Sequence, residues 1–356
     1  MMNLEDLGYH SELEKLWLAS NFDSFEIGRV ISEHKERYIV SSIKGVYEAE
    51  VTGNLRYTAR NREDFPAVGD WVAITTYDSD FAIIQGILPR VSLIKRQAAG
   101  HSGEIQVIAA NVDYAFVIQS VSNDFNINRL ERYLTICYSS KVSPIIVLSK
   151  IDLIGEEQIS DLEYSIKKRI QDIPILSISN ETQRGYEELR TIIEKGKTYC
   201  MLGSSGVGKS TLINNLSGKT IMQTSPISQS TNKGRHITSH RELIILDSGG
   251  ILIDNPGMRE VGIADLTNGL EQTFDIIFTL SDECKFKNCT HTNELGCAVL
   301  LALANGEVSQ ASYDNYIKMD RERAHYESTV SEKRRKERLF GRILKNYKKD
   351  MKKNKY

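Results

Sequence analysis

Residues 198–216 read TYCMLGSSGVGKSTLINNL, and this stretch decides the fold of the middle of the chain. It sets a complete G-x-x-x-x-G-K-[ST] pattern between a strand-like run, Thr198–Leu202, and a helix-like run, Leu212–Leu216. The pattern consists of Gly203, Ser204, Ser205, Gly206, Val207, Gly208, Lys209 and Ser210, and Thr211 follows it. Backbone N–H groups of such a glycine-rich turn form an anion cradle at a helix N-terminus. We therefore expect a phosphate-binding loop, in which Lys209 neutralises the β- and γ-phosphates and the Ser210 hydroxyl ligates Mg²⁺.

A second motif, Ser149-Lys150-Ile151-Asp152, directly follows the strand-like run Ile145–Leu148. It resembles the N/T-K-x-D element with which GTPases recognise guanine. The Asp152 carboxylate can accept two hydrogen bonds from guanine, whereas adenine lacks that donor pair and would leave a buried charge unpaired. An exposed Lys–Asp pair is the alternative, but open α/β sheets bind ligands at the carboxyl ends of strands. Because Ser149 replaces the usual Asn that braces the loop, we expect modest nucleotide affinity.

Two further segments fit a GTP site. Asp254-Asn255-Pro256-Gly257 follows a strand-like run and looks like the D-x-P-G switch element. There the acid holds Mg²⁺ through water, and the glycine amide meets the γ-phosphate. Ser179 and Asn180 end another strand-like run and resemble the weak S-A element beside the base. Both segments are predicted to belong to the nucleotide site.

The residues that complete catalysis are predicted between the loop and the switch element. Gly234–Thr238 is predicted to be switch I, with Thr238 as the Mg²⁺-sensing hydroxyl. The residue after the D-x-P-G glycine is Met258, and a thioether cannot orient water. We therefore expect slow intrinsic turnover that a partner stimulates. His236 in switch I and His101 in a glycine-rich link are the candidates for positioning water, and an exposed or structural role is the alternative for each.

The order of these motifs is unusual. Ordinary GTPases run phosphate loop, switch I, switch II and base reader, whereas here the base reader precedes the loop. Strand-like and helix-like runs alternate from residue 114 to residue 177, which is typical of a doubly wound, mainly parallel sheet. Strands joined in a new order can keep their places when the original chain ends lie close together. We predict a circularly permuted P-loop GTPase domain over residues 98–275.

The first 97 residues show a different pattern. Residues 4–20 favour a short amphipathic helix, and residues 25–96 contain brief β-rich runs without intervening helices. Several short strands of this kind indicate a small β-barrel. An OB-like barrel is the first choice and an SH3-like barrel is the alternative. We predict an N-terminal domain over residues 1–97.

Three of the five cysteines lie within fourteen residues, as Cys284-x4-Cys289-x-His291-x5-Cys297. Three thiols and one imidazole form a closed ligand set suited to one structural, tetrahedral Zn²⁺. Buried free cysteines are a poor alternative in so polar a segment, whereas Cys137 and Cys200 lie in apolar runs and are predicted to fill the core. We predict a zinc-binding helical domain with a basic tail over residues 276–356.

The formal net charge is only −2, but it is unevenly distributed. Residues 333–356 hold twelve Lys/Arg against two acids, so this tail either binds a polyanion or stays solvated. The longest apolar run, Ala298–Ala304, is far shorter than the ~20 residues that cross a bilayer. The acidic first residues are unlike a signal peptide. We expect a cytoplasmic monomer without a membrane partner.

Taken with Gly69-Asp70-Trp71-Val72, Leu88-Pro89-Arg90 and Ala109–Asp113, these motifs resemble the RsgA/YjeQ/YloQ family of circularly permuted GTPases. The likeness covers nearly the whole chain. It implies an OB domain, a permuted GTPase domain and a zinc-bearing helical domain. It also implies GTP hydrolysis in late maturation of the 30S ribosomal subunit, with rRNA binding and stimulation by the subunit.

The residues alone point to RNA more weakly. OB barrels often bind oligonucleotides, and Phe340, Tyr347 and Tyr356 alternate with basic residues and could stack on bases. One alternative function is a GTP-switched RNA-binding scaffold with little turnover. An ATPase of similar fold is the other, and Asp152 disfavours it.

Overall fold

The computed structural model describes residues 3–34, 37–97, 105–122, 125–218, 241–254, 267–325 and Arg335. Four predicted site residues lie outside these ranges: His101, His236, Thr238 and Gly257. Met258 and all of the basic tail except Arg335 lie outside them as well. Among the described residues, no helix combines the length and apolar character needed to span a membrane.

The described chain contains thirteen strands and ten helices longer than a single 3₁₀ turn. The strands are β1 Glu26–His34, β2 Arg37–Ser42, β3 Val46–Val51, β4 Trp71–Thr76, β5 Phe81–Ile87, β6 Leu93–Gln97, β7 Ile105–Ala110, β8 Tyr114–Ser120, β9 Ser143–Ser149, β10 Ile175–Ile178, β11 Thr198–Gly203, β12 Arg241–Ile245 and β13 Ile251–Asp254. The helices are α1 Ser11–Ala19, α2 Gly53–Thr58, α3 Ile127–Ser139, α4 Glu156–Lys167, α5 Tyr186–Ile192, α6 Lys209–Ser217, α7 Thr267–Thr273, α8 Asp275–Ser281, α9 Ala298–Asn305 and α10, residues 310–325.

Strands β1 to β5 form a closed barrel, in the order β1-β2-β3-β5-β4 with β4 returning to β1. The parallel pairing of β3 with β5, among otherwise antiparallel neighbours, confirms the OB-like prediction over the SH3-like alternative. The prediction of no intervening helices was wrong, because α2 lies between β3 and β4. Thr52 caps this helix by accepting a hydrogen bond from the Leu55 N–H, and Leu55 packs against the barrel core.

The second part of the sheet has the order β10-β9-β8-β11-β13-β12 and is parallel except for β12. Strand β11, which leads into the phosphate loop, lies in the middle. The strands that precede it in sequence lie on one side, and those that follow it lie on the other. This arrangement confirms the permuted α/β prediction. Strand β12 was not predicted from the sequence, and neither was the antiparallel pair of β6 and β7.

The barrel and the parallel sheet are continuous, because β1 pairs with β12 at Ser32↔Glu242 and Glu33↔Arg241. Beside this pairing lies Arg29, which is only 1% exposed. Its guanidinium donates to the carbonyl oxygens of Leu7 (2.5 Å) and Gly69 (3.2 Å) and to Thr198 Oγ1 (2.9 Å). Burial lowers the pKa of Arg29 to about 10. One side chain thus ties the N-terminal segment, the barrel and the strand of the phosphate loop together.

The sequence motifs shared with the family gather at this junction. Gly69 has a φ of 94°, and a Cβ there would lie 2.1 Å from the carbonyl oxygen of Ala110, so only glycine allows the approach. Asp70 is fully buried and accepts from Arg90 at 2.8 and 2.6 Å. Asp113 accepts from the Thr198 N–H at 2.8 Å. The motifs therefore dock the barrel on the GTPase sheet.

The C-terminal helices α7 to α10 share a core that includes Leu270, Phe274, Val299 and Met319. They dock on α3 through Glu131, which is 1% exposed. Its carboxylate accepts from Arg169 at 2.8 and 2.6 Å and from Asn315 Nδ2 at 2.5 Å. Arg132 pairs with Glu322 at the rim, at 2.8 and 2.7 Å. The donors of this second junction are side chains, and one of them, Asn315 Nδ2, also reaches the Asn128 carbonyl oxygen at 3.2 Å.

Candidate nucleotide site and metal centre

The predicted phosphate loop joins β11 to α6, so Lys209, Ser210 and Thr211 form the first turn of a helix. Gly208 has a φ of 97°, and a Cβ there would lie 2.5 Å from Asn180 Nδ2. The Lys209 ammonium donates to the carbonyl oxygens of Gly203 (2.7 Å) and Ser204 (2.6 Å), so it lies over the loop. Ser205 and Gly206 are exposed at the turn. These features are those of an anion cradle at a helix N-terminus.

The predicted base reader begins at the carboxyl end of β9. Lys150 has a φ of 63°, which turns the chain into the short 3₁₀ turn Ile151–Leu153. Ile151 is buried and anchors this turn, while the Asp152 carboxylate is exposed and accepts from Ser179 Oγ. Ser149 Oγ donates to the Val207 carbonyl oxygen at 2.7 Å. Ser149 therefore braces the phosphate loop in the position where the usual residue is Asn, and the modest nucleotide affinity expected from this replacement stays a prediction.

Asn180 follows a third strand, β10, and contacts the phosphate loop from there. Its Nδ2 donates to the Gly208 carbonyl oxygen at 3.0 Å, and its Oδ1 accepts from the Tyr186 hydroxyl at 2.7 Å. Asn215, on α6, donates to the Asn180 carbonyl oxygen at 3.2 Å. The structure thus brings residues 149–152, 179–180 and 203–211 together at one edge of the sheet.

Asp254 ends β13, which runs parallel to β11, so its carboxylate lies at that same edge. It is 7% exposed. A carboxylate at the end of the sheet that also carries the phosphate loop supplies oxygen ligands of the kind that Mg²⁺ prefers. The remaining catalytic predictions, His101, His236, Thr238 and Gly257, are not among the described residues.

Two residues of α3 contact the phosphate loop and were not predicted. Arg129 Nη1 donates to Ser204 Oγ at 3.3 Å, and Tyr133, which is 3% exposed, hydrogen-bonds with Ser204 as well. Burial raises the pKa of Tyr133, and the contact with Ser204 opposes that rise. The sequence predicts α3 with its observed bounds, Ile127–Ser139. Arg129 and Tyr133 are four residues apart and therefore lie on one face of α3, but no sequence motif shows which element packs against that face.

The four predicted metal ligands do converge. The ligand atoms of Cys284, Cys289, His291 and Cys297 all lie within 4.8 Å of one another. The sulfurs of Cys284 and Cys297 are 3.8 Å apart, and His291 Nδ1 lies 3.6 and 3.4 Å from them. A tetrahedral ion with metal–sulfur bonds of roughly 2.3 Å places two sulfurs about 3.8 Å apart. The cluster could therefore hold a metal ion.

The surroundings act differently on the individual ligands. Desolvation by burial raises the pKa of Cys289 to about 11. Desolvation raises the pKa of Cys284, but hydrogen bonds from the N–H groups of Ala298 and Val299 and from the Cys297 and Cys289 thiols together outweigh it, so the pKa lies below its usual value. Burial lowers the pKa of His291, which keeps the imidazole neutral. The Tyr313 hydroxyl donates to the His291 carbonyl oxygen at 2.6 Å, so α10 supports the cluster.

The other two cysteines are confirmed as core residues. Cys137 and Cys200 are both 0% exposed and lie in the hydrophobic core beside the sheet. Burial raises the pKa of both thiols well above the usual value, so neither is a thiolate at neutral pH.

The permuted sheet, the phosphate loop and the adjoining base reader define a circularly permuted P-loop GTPase. A family model described as RsgA GTPase matches residues 87–264. The chain belongs to the RsgA GTPase family.

Named relatives match almost end to end. "Small ribosomal subunit biogenesis GTPase RsgA 1" of Bacteroides thetaiotaomicron is 38% identical, over 98% of this chain and 97% of that protein. "Small ribosomal subunit biogenesis GTPase RsgA 2" of Lactiplantibacillus plantarum is 41% identical, over 88% and 89%.

Two crystal structures show the same fold. YjeQ from Thermotoga maritima matches with a TM-score of 0.62 and 25% identity, over 84% of this chain and 98% of that one. YloQ, described as a circularly permuted GTPase, matches with a TM-score of 0.61 and 26% identity, over 86% and 97%.

Proposed function

We propose that this protein hydrolyses GTP to GDP and phosphate and acts in late maturation of the small ribosomal subunit. The hydrogen bond from Ser149 to Val207 supports this proposal most directly, because it fixes the base reader against the phosphate loop. A guanine nucleotide can then contact Asp152 and Lys209 at once. The ribosomal role rests on relatives named as small ribosomal subunit biogenesis GTPases.

The reaction is in-line attack of water on the γ-phosphoryl group. Lys209 and the loop N–H groups stabilise the charge that develops on the phosphate oxygens. Ser210 and Asp254 would hold Mg²⁺, which neutralises phosphate charge when bound. Lys150 lies along the base, while Ser179 and Asn180 complete its pocket.

Residues outside the described ranges carry the rest of the proposed mechanism. Thr238 senses Mg²⁺, the Gly257 amide meets the γ-phosphate, and His236 or His101 positions the attacking water. A partner stimulates turnover because Met258 cannot orient water.

The metal is proposed to be one structural Zn²⁺ per chain. Three thiolates and one imidazole match its preferred ligands, and they leave no position for a catalytic water. The ion would fix the segment around residues 281–300 on the edge of the core that α7 to α10 share.

The partners are proposed to be the 30S subunit and its rRNA, bound by a cytoplasmic monomer. The basic tail and the OB-like barrel supply phosphate-binding and base-stacking surfaces. We also propose the division into residues 1–97, 98–275 and 276–356. The β6–β7 pair crosses the boundary between residues 97 and 98. The core of the C-terminal helices crosses the boundary between residues 275 and 276, because it includes Leu270 and Phe274. Both boundaries are therefore approximate.

The Asp152→Asn variant tests whether Asp152 selects guanine in the bound nucleotide. The amide presents a donor where guanine also presents one, so GTP binding should weaken and xanthosine triphosphate should be preferred. Direct binding of both nucleotides measures this, with Asp161→Asn, on the exposed face of α4, as the matched control. An unchanged preference would refute the base-reading role.

The ribosomal role is tested by GTPase rates with isolated 30S, 50S and 70S particles. We expect stimulation by 30S subunits, lost in Lys209→Ala. A GTP-switched scaffold would bind 30S subunits in a GTP-dependent way while single-turnover hydrolysis stayed equally slow with and without them.

A further inference from the structure

Helix α3 contacts two different parts of the molecule with two faces. Arg129 and Tyr133 are one turn apart and contact the phosphate loop. Glu131 and Arg132 contact the C-terminal helices. The helix is therefore fixed from outside while its inner face meets the loop that carries the catalytic lysine.

Ser204 is the point of contact in the loop. Its hydroxyl accepts a hydrogen bond from Arg129 Nη1 at 3.3 Å, and Tyr133 hydrogen-bonds with the same side chain. Both Arg129 and Ser204 are partly buried, and Tyr133 is fully buried. Side chains packed in this way have few alternative rotamers, so α3 restrains the start of the phosphate loop.

The restraint extends to Lys209. The carbonyl oxygen of Ser204 accepts a hydrogen bond from the Lys209 ammonium at 2.6 Å. A shift of Ser204 would therefore move the ammonium relative to the phosphates. Displacements of about 1 Å in such a group can cost about 100-fold in rate. The guanidinium also adds a positive charge beside the loop, where charge develops on the phosphate oxygens.

On the basis of the GTPase function proposed above, we propose that Arg129 is a positioning residue for GTP hydrolysis, which fixes Ser204 and, through it, Lys209. Arg129 thus supports the catalytic cation from an element that carries none of the recognised GTPase motifs. Tyr133 assists from the next turn.

Four variants test this role by steady-state hydrolysis in the presence of 30S subunits. Arg129→Ala should lower kcat about tenfold and change GDP affinity by no more than about threefold. Ser204→Ala should have a similar effect, and the double variant should be no worse than either single one, because both remove the same restraint. Arg129→Lys, which keeps a donor and a charge, should recover part of the loss.

Arg132→Ala is the matched control, since it removes an arginine from the same helix on the face toward Glu322. Its kcat should equal that of the native protein. An unchanged kcat in Arg129→Ala would overturn the proposal. It would also be overturned if Arg129→Ala lost GDP affinity by the same factor as kcat and melted at a lower temperature, because such a result indicates a merely structural role.

A measurement without turnover separates this proposal from the proposed function. The ³¹P NMR signal of the γ-phosphate in a bound non-hydrolysable GTP analogue should shift in Arg129→Ala and Ser204→Ala but not in Arg132→Ala. A signal that is the same in all variants would refute the positioning role. Absence of hydrolysis in the native protein with 30S subunits would instead refute the GTPase function.

Discussion

The two junctions that hold this molecule together are chemical opposites. The barrel docks through a buried cation, Arg29, whose partners are mostly backbone carbonyl oxygens and which lies beside a continuous sheet. The C-terminal helices dock through a buried anion, Glu131, whose partners are the side chains of Arg169 and Asn315. Backbone partners are fixed by the fold itself, whereas the Asn315 side chain reaches Glu131 only when α10 has folded and docked. We therefore expect the barrel to stay docked on the GTPase sheet, whereas docking of the C-terminal helices should depend on their own folding.

Metal removal should have the largest effect, and only at the helical junction. Structural zinc sites contribute about 10 kcal/mol or more to folding, so chelation or Cys289→Ser should unfold the segment around residues 281–300. The support that Tyr313 gives to His291 would then be lost, and α10 would lose hydrogen-exchange protection. The barrel strands should keep theirs.

Elemental analysis should give about one zinc per native chain. Cys137→Ser, in the core, is the control that removes a thiol without touching the cluster. Equal loss of protection in barrel and α10 on chelation would contradict the contrast between the junctions.

Arg29→Met should break the barrel junction. The change removes the guanidinium donor from the carbonyl oxygens of Leu7 and Asn111, while Gly69 keeps a donor in Asn111 Nδ2, and we expect a loss of about 3–5 kcal/mol in the free energy of unfolding. Urea denaturation followed by fluorescence measures it, because Trp71 is buried 5.4 Å from the Arg29 guanidinium.

The control for this change is Arg37→Met on β2. The Arg37 side chain is 70% exposed, so its loss should cost less than about 0.5 kcal/mol. Equal losses in the two variants would show that burial of Arg29 does not matter.

Glu131→Ala should weaken the helical junction by about 1.5–3 kcal/mol, because it removes the charged acceptor of the hydrogen bond that Asn315 donates from α10. Glu131→Gln, which keeps an acceptor for Asn315, should cost less. Hydrogen exchange in α10 reports the docking directly. If Glu131→Ala sped amide hydrogen exchange more in the barrel than in α10, Glu131 would not be the contact that docks the C-terminal helices.

The rim pair of Arg132 and Glu322 should contribute least. Its side chains are 23% and 38% exposed, so a double-mutant cycle of alanine substitutions should give a coupling of about 0.2–1 kcal/mol. Thermal unfolding of the four proteins measures it. A coupling as large as the effect of Glu131→Ala would make the rim, and not the buried carboxylate, the main contact.

Much of the site follows from the sequence because its parts are local. The phosphate loop, the base reader and the cysteine cluster each lie within fourteen residues, and flanking runs identify their strands and helices. The junctions do not follow, since the partners of Arg29 come from residues 7, 69 and 198. The contact of Arg129 with Ser204 does not follow from the sequence either, because the two residues are 75 positions apart. Local periodicity predicts that a helix has a buried face, but it does not name what covers that face.

The pairing of β1 with β12 has a consequence for how the chain folds during synthesis. The edge of β1 at Ser32 is covered only after Glu242 has been synthesised and β12 has formed. At roughly 5–20 residues per second, the barrel emerges and closes many seconds before its partner strand leaves the ribosome. In that interval β1 presents unpaired backbone groups, which are prone to pair with other chains. Glu33 puts a charge at this edge, and charge of that kind discourages such pairing.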